Sequence, residues 1–146
     1  MLNYAYSDQS EDFKETEKES LDSIEKGKIE NPLDIASLLE ACGTGRTILG
    51  LPDAQKKLEK ADDEITRGGE RGMSRPVTEL QILISKLGEL YDRKMNGKVV
   101  DKRKSIEIAH EAYKLAKVHG YKRHIRYIDS MTLGIGIYND LKDIVE

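Results

Sequence analysis

The sequence predicts an all-α fold, a small bundle of four to five helices preceded by a flexible acidic N-terminal arm, and three observations point to it. Val77, Leu80, Leu83, Ile84, Leu87, Leu90 and Tyr91 recur three and four apart over four turns, the period of a helix with one buried face. Asn31-Pro32-Leu33-Asp34 has the chemistry of a helix start: an amide oxygen to accept free N–H groups, a proline pre-set for the first turn, and an acid favoured by the dipole. With no Trp and one Phe, the 38% hydrophobic residues must build a core from Leu, Ile, Val, Ala and Tyr, which suits helices better than a sandwich.

Taken in order, residues 1–30 are the expected arm. Residues 1–12 hold too few apolar groups to offset the entropy of ordering them, and from Glu11 to Lys28 only Phe13, Leu21 and Ile24 form a stripe, which is broken. The helical domain is expected at 31–146. Its first helix carries Ile35, Leu38, Leu39 and Cys42 on one face, and Gly43 reads as its stop. Gly43-Thr44-Gly45-Arg46-Thr47 superficially matches the end of a phosphate-binding loop, but Arg46 stands where that loop needs Lys, and an interhelical turn is the expectation. Ala54, Leu58, Ala61 and Ile65 give the next helix a narrow seam. Its acidic triplet Asp62-Asp63-Glu64 cannot converge on one ion, because consecutive helical residues point about 100° apart.

Gly68, Gly69 and Gly72 mark 68–75 as the place for a hinge. Pro76 opens the strongest helix, and Asn96-Gly97 closes it. Asp101 is the cap of a helix lined by Ile106, Ala109, Ala112, Tyr113 and Ala116, small residues that permit close packing. From Tyr121 to Val145 apolar residues occur almost all round, so this run is expected to be buried or shared between chains. Gly134 and Gly136 interrupt it, and 131–138 reads as a kinked helix, with a short strand as the alternative.

Charge is uneven along the chain. Residues 1–30 carry nine acids against four lysines, and residues 98–126 nine cations against three acids, within a net charge of -3. The single Cys42 excludes an internal disulfide and reads as a small buried hydrophobe. No stretch reaches the roughly twenty apolar residues that span a bilayer, and the start is acidic where a leader would be basic, so a soluble cytoplasmic protein with no membrane partner is expected.

The cations gather at Lys114, Lys117, His119, Lys122, Arg123, His124 and Arg126, interleaved with Tyr113, Tyr121 and Tyr127. Cations neutralise phosphates and tyrosine faces stack on unpaired bases, so RNA or single-stranded DNA is one expected partner, with Lys114, Lys117, Tyr121, Lys122, Arg123, His124 and Arg126 as the binding residues. Alternatively the cluster complements a helix dipole or neutralises the acidic arm. Arg103 and His110, separated by six residues on one helix, resemble the HEPN ribonucleases, although Lys104 stands where that family carries Asn, Asp or His. The resemblance implies a dimeric helical bundle that cleaves RNA through this pair.

No metal, cofactor or nucleophile motif is recognisable, and no catalytic residue is assigned. The expected function is therefore a non-enzymatic regulatory or adaptor protein that binds a protein partner, or itself, through residues 77–91 and 125–145, with a basic face for nucleic acid. A single-stranded nucleic-acid-binding protein and a HEPN-like ribonuclease are the alternatives.

Overall fold

The computed structural model describes the backbone of residues 2–145 and the side chains of residues 9–144, and among these it contains seven helices and no strand. They are α1 (Leu2–Glu25), α2 (Pro32–Ile48), α3 (Ala54–Glu70), α4 (Pro76–Met95), α5 (Lys102–Val118), α6 (Lys122–Ile135) and α7 (Tyr138–Val145). The chain divides between Arg75 and Pro76 into two compact units, one holding α1 to α3 and the other α4 to α7.

In the first unit α2 starts as its residues dictate, the Asn31 side chain accepting a hydrogen bond from the Leu33 amide at 2.9 Å. It does not stop at Gly43. The helix continues to Ile48 and ends at Leu49-Gly50, with Gly50 in the left-handed region at φ +68°. Tertiary contact explains why glycines sit inside it. A Cβ on Gly43 would stand 2.7 Å from Cδ2 of the buried Leu58 and 3.2 Å from the Ala54 carbonyl, and a Cβ on Gly45 would run into the Phe13 ring. These are the points at which α3 and α1 lie against α2. The expected turn at Gly43–Thr47 is thus corrected to helix, and a helix interior offers no free amides to a phosphate.

The flexible arm expected over residues 1–30 is also corrected, because most of it is the 24-residue helix α1. Residue 1 and the side chains of residues 2–8 lie outside the described part. The stripe of Phe13, Leu21 and Ile24 reads as broken because Glu17 occupies the missing position, yet Glu17 is only 6% exposed. Arg46 of α2 donates to it twice, Nε to Oε2 at 2.8 Å and Nη2 to Oε1 at 2.5 Å, and uses Nη1 to donate to the Pro52 carbonyl at 2.8 Å. A carboxylate held by a guanidinium fork can occupy a core position that a lone charge could not. The Arg46 bonds hold the Glu17 carboxyl below the usual glutamate range against the opposing effect of burial. Burial, then the charge of Glu17, pushes the Cys42 thiol up.

The second unit closes around Leu80, Ile84, Leu87 and Leu90 of α4, Ile108, Ala109, Ala112 and Ala116 of α5, Ile128, Met131 and Ile135 of α6, and Ile137 and Leu141 at α7. Asp101 caps α5, accepting from the Lys104 amide at 3.1 Å. Most of the apolar surface at 77–91 and 125–145 is therefore spent inside this unit, and Val77, Tyr91, Tyr127, Leu133 and Ile144 remain exposed. The final run is neither one kinked helix nor a strand. Gly136 ends α6 at φ +88°, and Ile137 leads into α7. Gly134, two residues earlier, leaves room for the Tyr91 ring, which a Cβ would strike. Helix α1 and this break bring the expected four to five helices to seven.

Replacing Gly43 by Ala should destabilise the first unit by about 1–3 kcal/mol through overpacking against Leu58. Gly88→Ala, in the interior of α4 with no atom within 4 Å of the added Cβ, should instead stabilise the second unit by up to about 1 kcal/mol. Urea unfolding of each variant checks the opposite signs. Because the folded-state Glu17 ionises more readily than an ordinary glutamate, its contribution is present above roughly pH 4.3 and is lost as pH falls through its lowered value. Glu17→Gln should therefore cost about 2 kcal/mol at neutral pH. The gap between parent and variant should close in acid when unfolding midpoints are compared across pH.

Candidate nucleic-acid interface

The cations of the second unit meet at one corner. Helix α5 ends at His119, Gly120 turns the chain at φ +70°, and the Tyr121 amide donates back to the Ala116 carbonyl at 2.9 Å. Helix α6 then starts on Lys122, Arg123 and His124. Its first turn holds no acid, and Tyr121 at the cap position contributes no side-chain hydrogen bond. Positive charge at the positive end of a helix dipole is locally unfavourable, and the open amides beside it favour an anion.

Burial of Ala109, Ala112 and Ala116 turns Lys114 and Lys117 outward on α5, and burial of Ile128, Met131 and Ile135 turns Lys122, Arg123 and Arg126 outward on α6. Among the described residues no carboxylate pairs with any of these five cations. The chain uses its acids elsewhere: Lys102 lies 3.4 Å from Asp140, Arg93 2.5 Å from Glu89, and Arg103 3.6 Å from Glu107.

At the apex, His119 stacks on Tyr121 with centroids 5.7 Å apart and planes at 22°, and Tyr121 meets His124 at 5.5 Å and 50°. Tyr121 also packs against the core, so both its surroundings and its ring are largely taken. Tyr113 is covered as well, with Lys117 Nζ 5.9 Å and Lys142 Nζ 5.7 Å from its ring centre. Lys142 further lies 5.2 Å from the Tyr138 ring centre. Of the three tyrosines interleaved with the cations, Tyr127 is the freely exposed one, at 56%, and it follows Arg123 by one turn on the outer face of α6. His119 and Tyr127 belong to the corner by position, although the sequence gives them no greater weight than their neighbours.

Arg103 and His110 share the outer face of α5, about 10 Å apart along its axis at 1.5 Å per residue. Arg103 projects into solvent, 91% exposed, with Glu107 between it and His110 along the helix. His110 is half-buried beside a groove lined by Tyr113, Lys114, Lys117, Val118 and Ile144. A carboxylate beside the arginine competes for the charge that would stabilise a transition-state phosphate. Incubated with single-stranded RNA, the protein should give no cleavage above that of its His110→Ala variant. Cleavage lost in both Arg103→Ala and His110→Ala would restore the ribonuclease expectation.

No family model matches this chain, and neither a curated protein nor a solved structure does.

Proposed function

We propose that this chain is a non-enzymatic adaptor whose α5–α6 corner binds the phosphate backbone of single-stranded nucleic acid. One observation supports this above the rest: among the described residues Lys122, Arg123 and Arg126 have no carboxylate partner, at the start of a helix that carries no acid in its first turn. A chain that pairs Arg46, Arg67 and Arg93 with acids but leaves these three open tolerates a local electrostatic cost. Phosphate relieves that cost. Its oxygens accept from the guanidinium groups and from the free amides of α6, and counterions released from the strand supply much of the affinity. Tyr127 and the exposed imidazole of His119 offer faces to unpaired bases, which a duplex would keep stacked.

No group at this corner is set against a second group as nucleophile and base, so binding is the proposed activity. The residues at 77–91 and 125–145 are mostly consumed by the unit's own core, which leaves Val77, Tyr91, Tyr127, Leu133 and Ile144 as the large apolar side chains there that a partner protein or a second copy could cover.

Fluorescence anisotropy with labelled oligouridylate tests the reading. With about four cations engaged, log affinity should fall with log salt at a slope near -3, taking roughly -0.7 per contact. Replacing Lys122, Arg123 and Arg126 by Ala should flatten it to about -1, and Tyr127→Ala should weaken binding while leaving the slope nearly unchanged. Equal binding by parent and triple variant at low salt would sink the proposal.

A further inference from the structure

Helices α5 and α7 leave between them an open groove of about 370 Å³, lined by His110, Tyr113, Lys114, Lys117, Val118 and Ile144. Its size is at the lower end of those that hold ligands. Two features separate it from an ordinary surface crease. Val118 is 78% exposed and Ile144 53% exposed, so β-branched side chains from two helices border the same depression. The groove's own lining is basic: Lys114 and Lys117 line it, Lys142 sits over Tyr113 at its side, and no carboxylate is among the lining residues.

We propose that this groove docks a partner protein through an acidic peptide segment, with one aliphatic or aromatic side chain laid between Val118 and Ile144 and flanking carboxylates on Lys114 and Lys117. The apolar wall has no use for a phosphate backbone. Neither does the one aromatic ring offer a base a free face, because the Lys117 and Lys142 ammonium groups lie over Tyr113. Of the two lysines that would meet carboxylates, Lys117 also lies over the ring, so its charge is partly preorganised. An open groove also suits a segment lying across it better than an enclosed small molecule. Charge complementarity selects the acidic class, and the aliphatic border selects an anchored apolar residue. The inference shares Lys114 and Lys117 with the nucleic-acid reading and is told from it by Val118 and Ile144, which have no part in that reading.

The test is selection of short random peptides displayed on phage against the full chain, with counter-selection on the Val118→Ser/Ile144→Ser variant. Both positions are exposed, and thermal melts followed by circular dichroism confirm that the variant keeps its fold. Recovered sequences should combine Asp or Glu with Leu, Ile or Phe. A synthetic copy should bind the double variant about tenfold more weakly than the parent, a loss of about 1.4 kcal/mol. It should also lose affinity in Lys114→Glu/Lys117→Glu. The Lys122/Arg123/Arg126→Ala protein should bind the peptide as the parent does, even if that protein and the parent prove alike towards oligouridylate. The proposal is overturned if nothing is enriched over the double variant, or if the enriched peptides lack acids. It is equally overturned if oligouridylate binding itself depends on Val118 and Ile144, which would give the groove to nucleic acid.

Discussion

The close approach of helices over glycine is the constraint on which both units depend. In α2 the Leu58 side chain and the Phe13 ring occupy the space that Cβ atoms of Gly43 and Gly45 would need, and in α6 the Tyr91 ring does the same at Gly134. Each glycine weakens its own helix by roughly 1 kcal/mol relative to Ala. The dispersion contacts of a seated ring or leucine offset that loss, because close-packed atoms each contribute a little and there are many of them. The helices therefore depend on one another: α2 holds its form across Gly43 and Gly45 because α1 and α3 lie there.

The units treat charge in opposite ways. The first places Glu17 in a buried stripe and answers it with Arg46, whose remaining donor closes on the Pro52 carbonyl at the α2–α3 connection. One side chain thereby ties α1 to α2 and to the loop that leads into α3. The second unit fills its core with aliphatic residues and small alanines, and its cations face solvent. Rigid packing of α5 on α6 sets the distance between Lys114 and Lys117 on one helix and Lys122, Arg123 and Arg126 on the other. A ligand that spans both rows meets helices already in position, and the ordering left to oppose binding is that of the exposed side chains themselves.

What could be read from the residues follows the range of the interaction. The helix at 77–91 and the Asp101 cap are local patterns, complete within one helix, and so were legible, although Val77 and Tyr91 at the ends of the stripe are exposed and Ile82, off the stripe, is fully buried. Glu17 was not, because its partner lies 29 residues away and a glutamate between apolar neighbours carries no mark of being paired. Gly43 misleads for a related reason. A glycine after an apolar run has the local chemistry of a helix end, and only Leu58, contributed by α3, shows that it is a packing point. At the α5–α6 corner the concentration of cations was legible as composition. The covering of Tyr113 by Lys142 and the placing of Val118 and Ile144 on one groove were not, since each needs α7 folded back onto α5.

Cys42 acquires a role from its neighbours that its own chemistry would not give it. It is the chain's one thiol, 6% exposed, and the charge of the glutamate that fastens α1 bears on it. A modifying reagent needs a thiolate with room around it, and burial together with the adjacent carboxylate withholds both. Labelling must wait for the helices around the thiol to part, so its rate is the fraction of time they are open multiplied by the rate for a free thiol. The protein thus carries an intrinsic gauge of how often its first unit opens, readable without adding a probe to the fold.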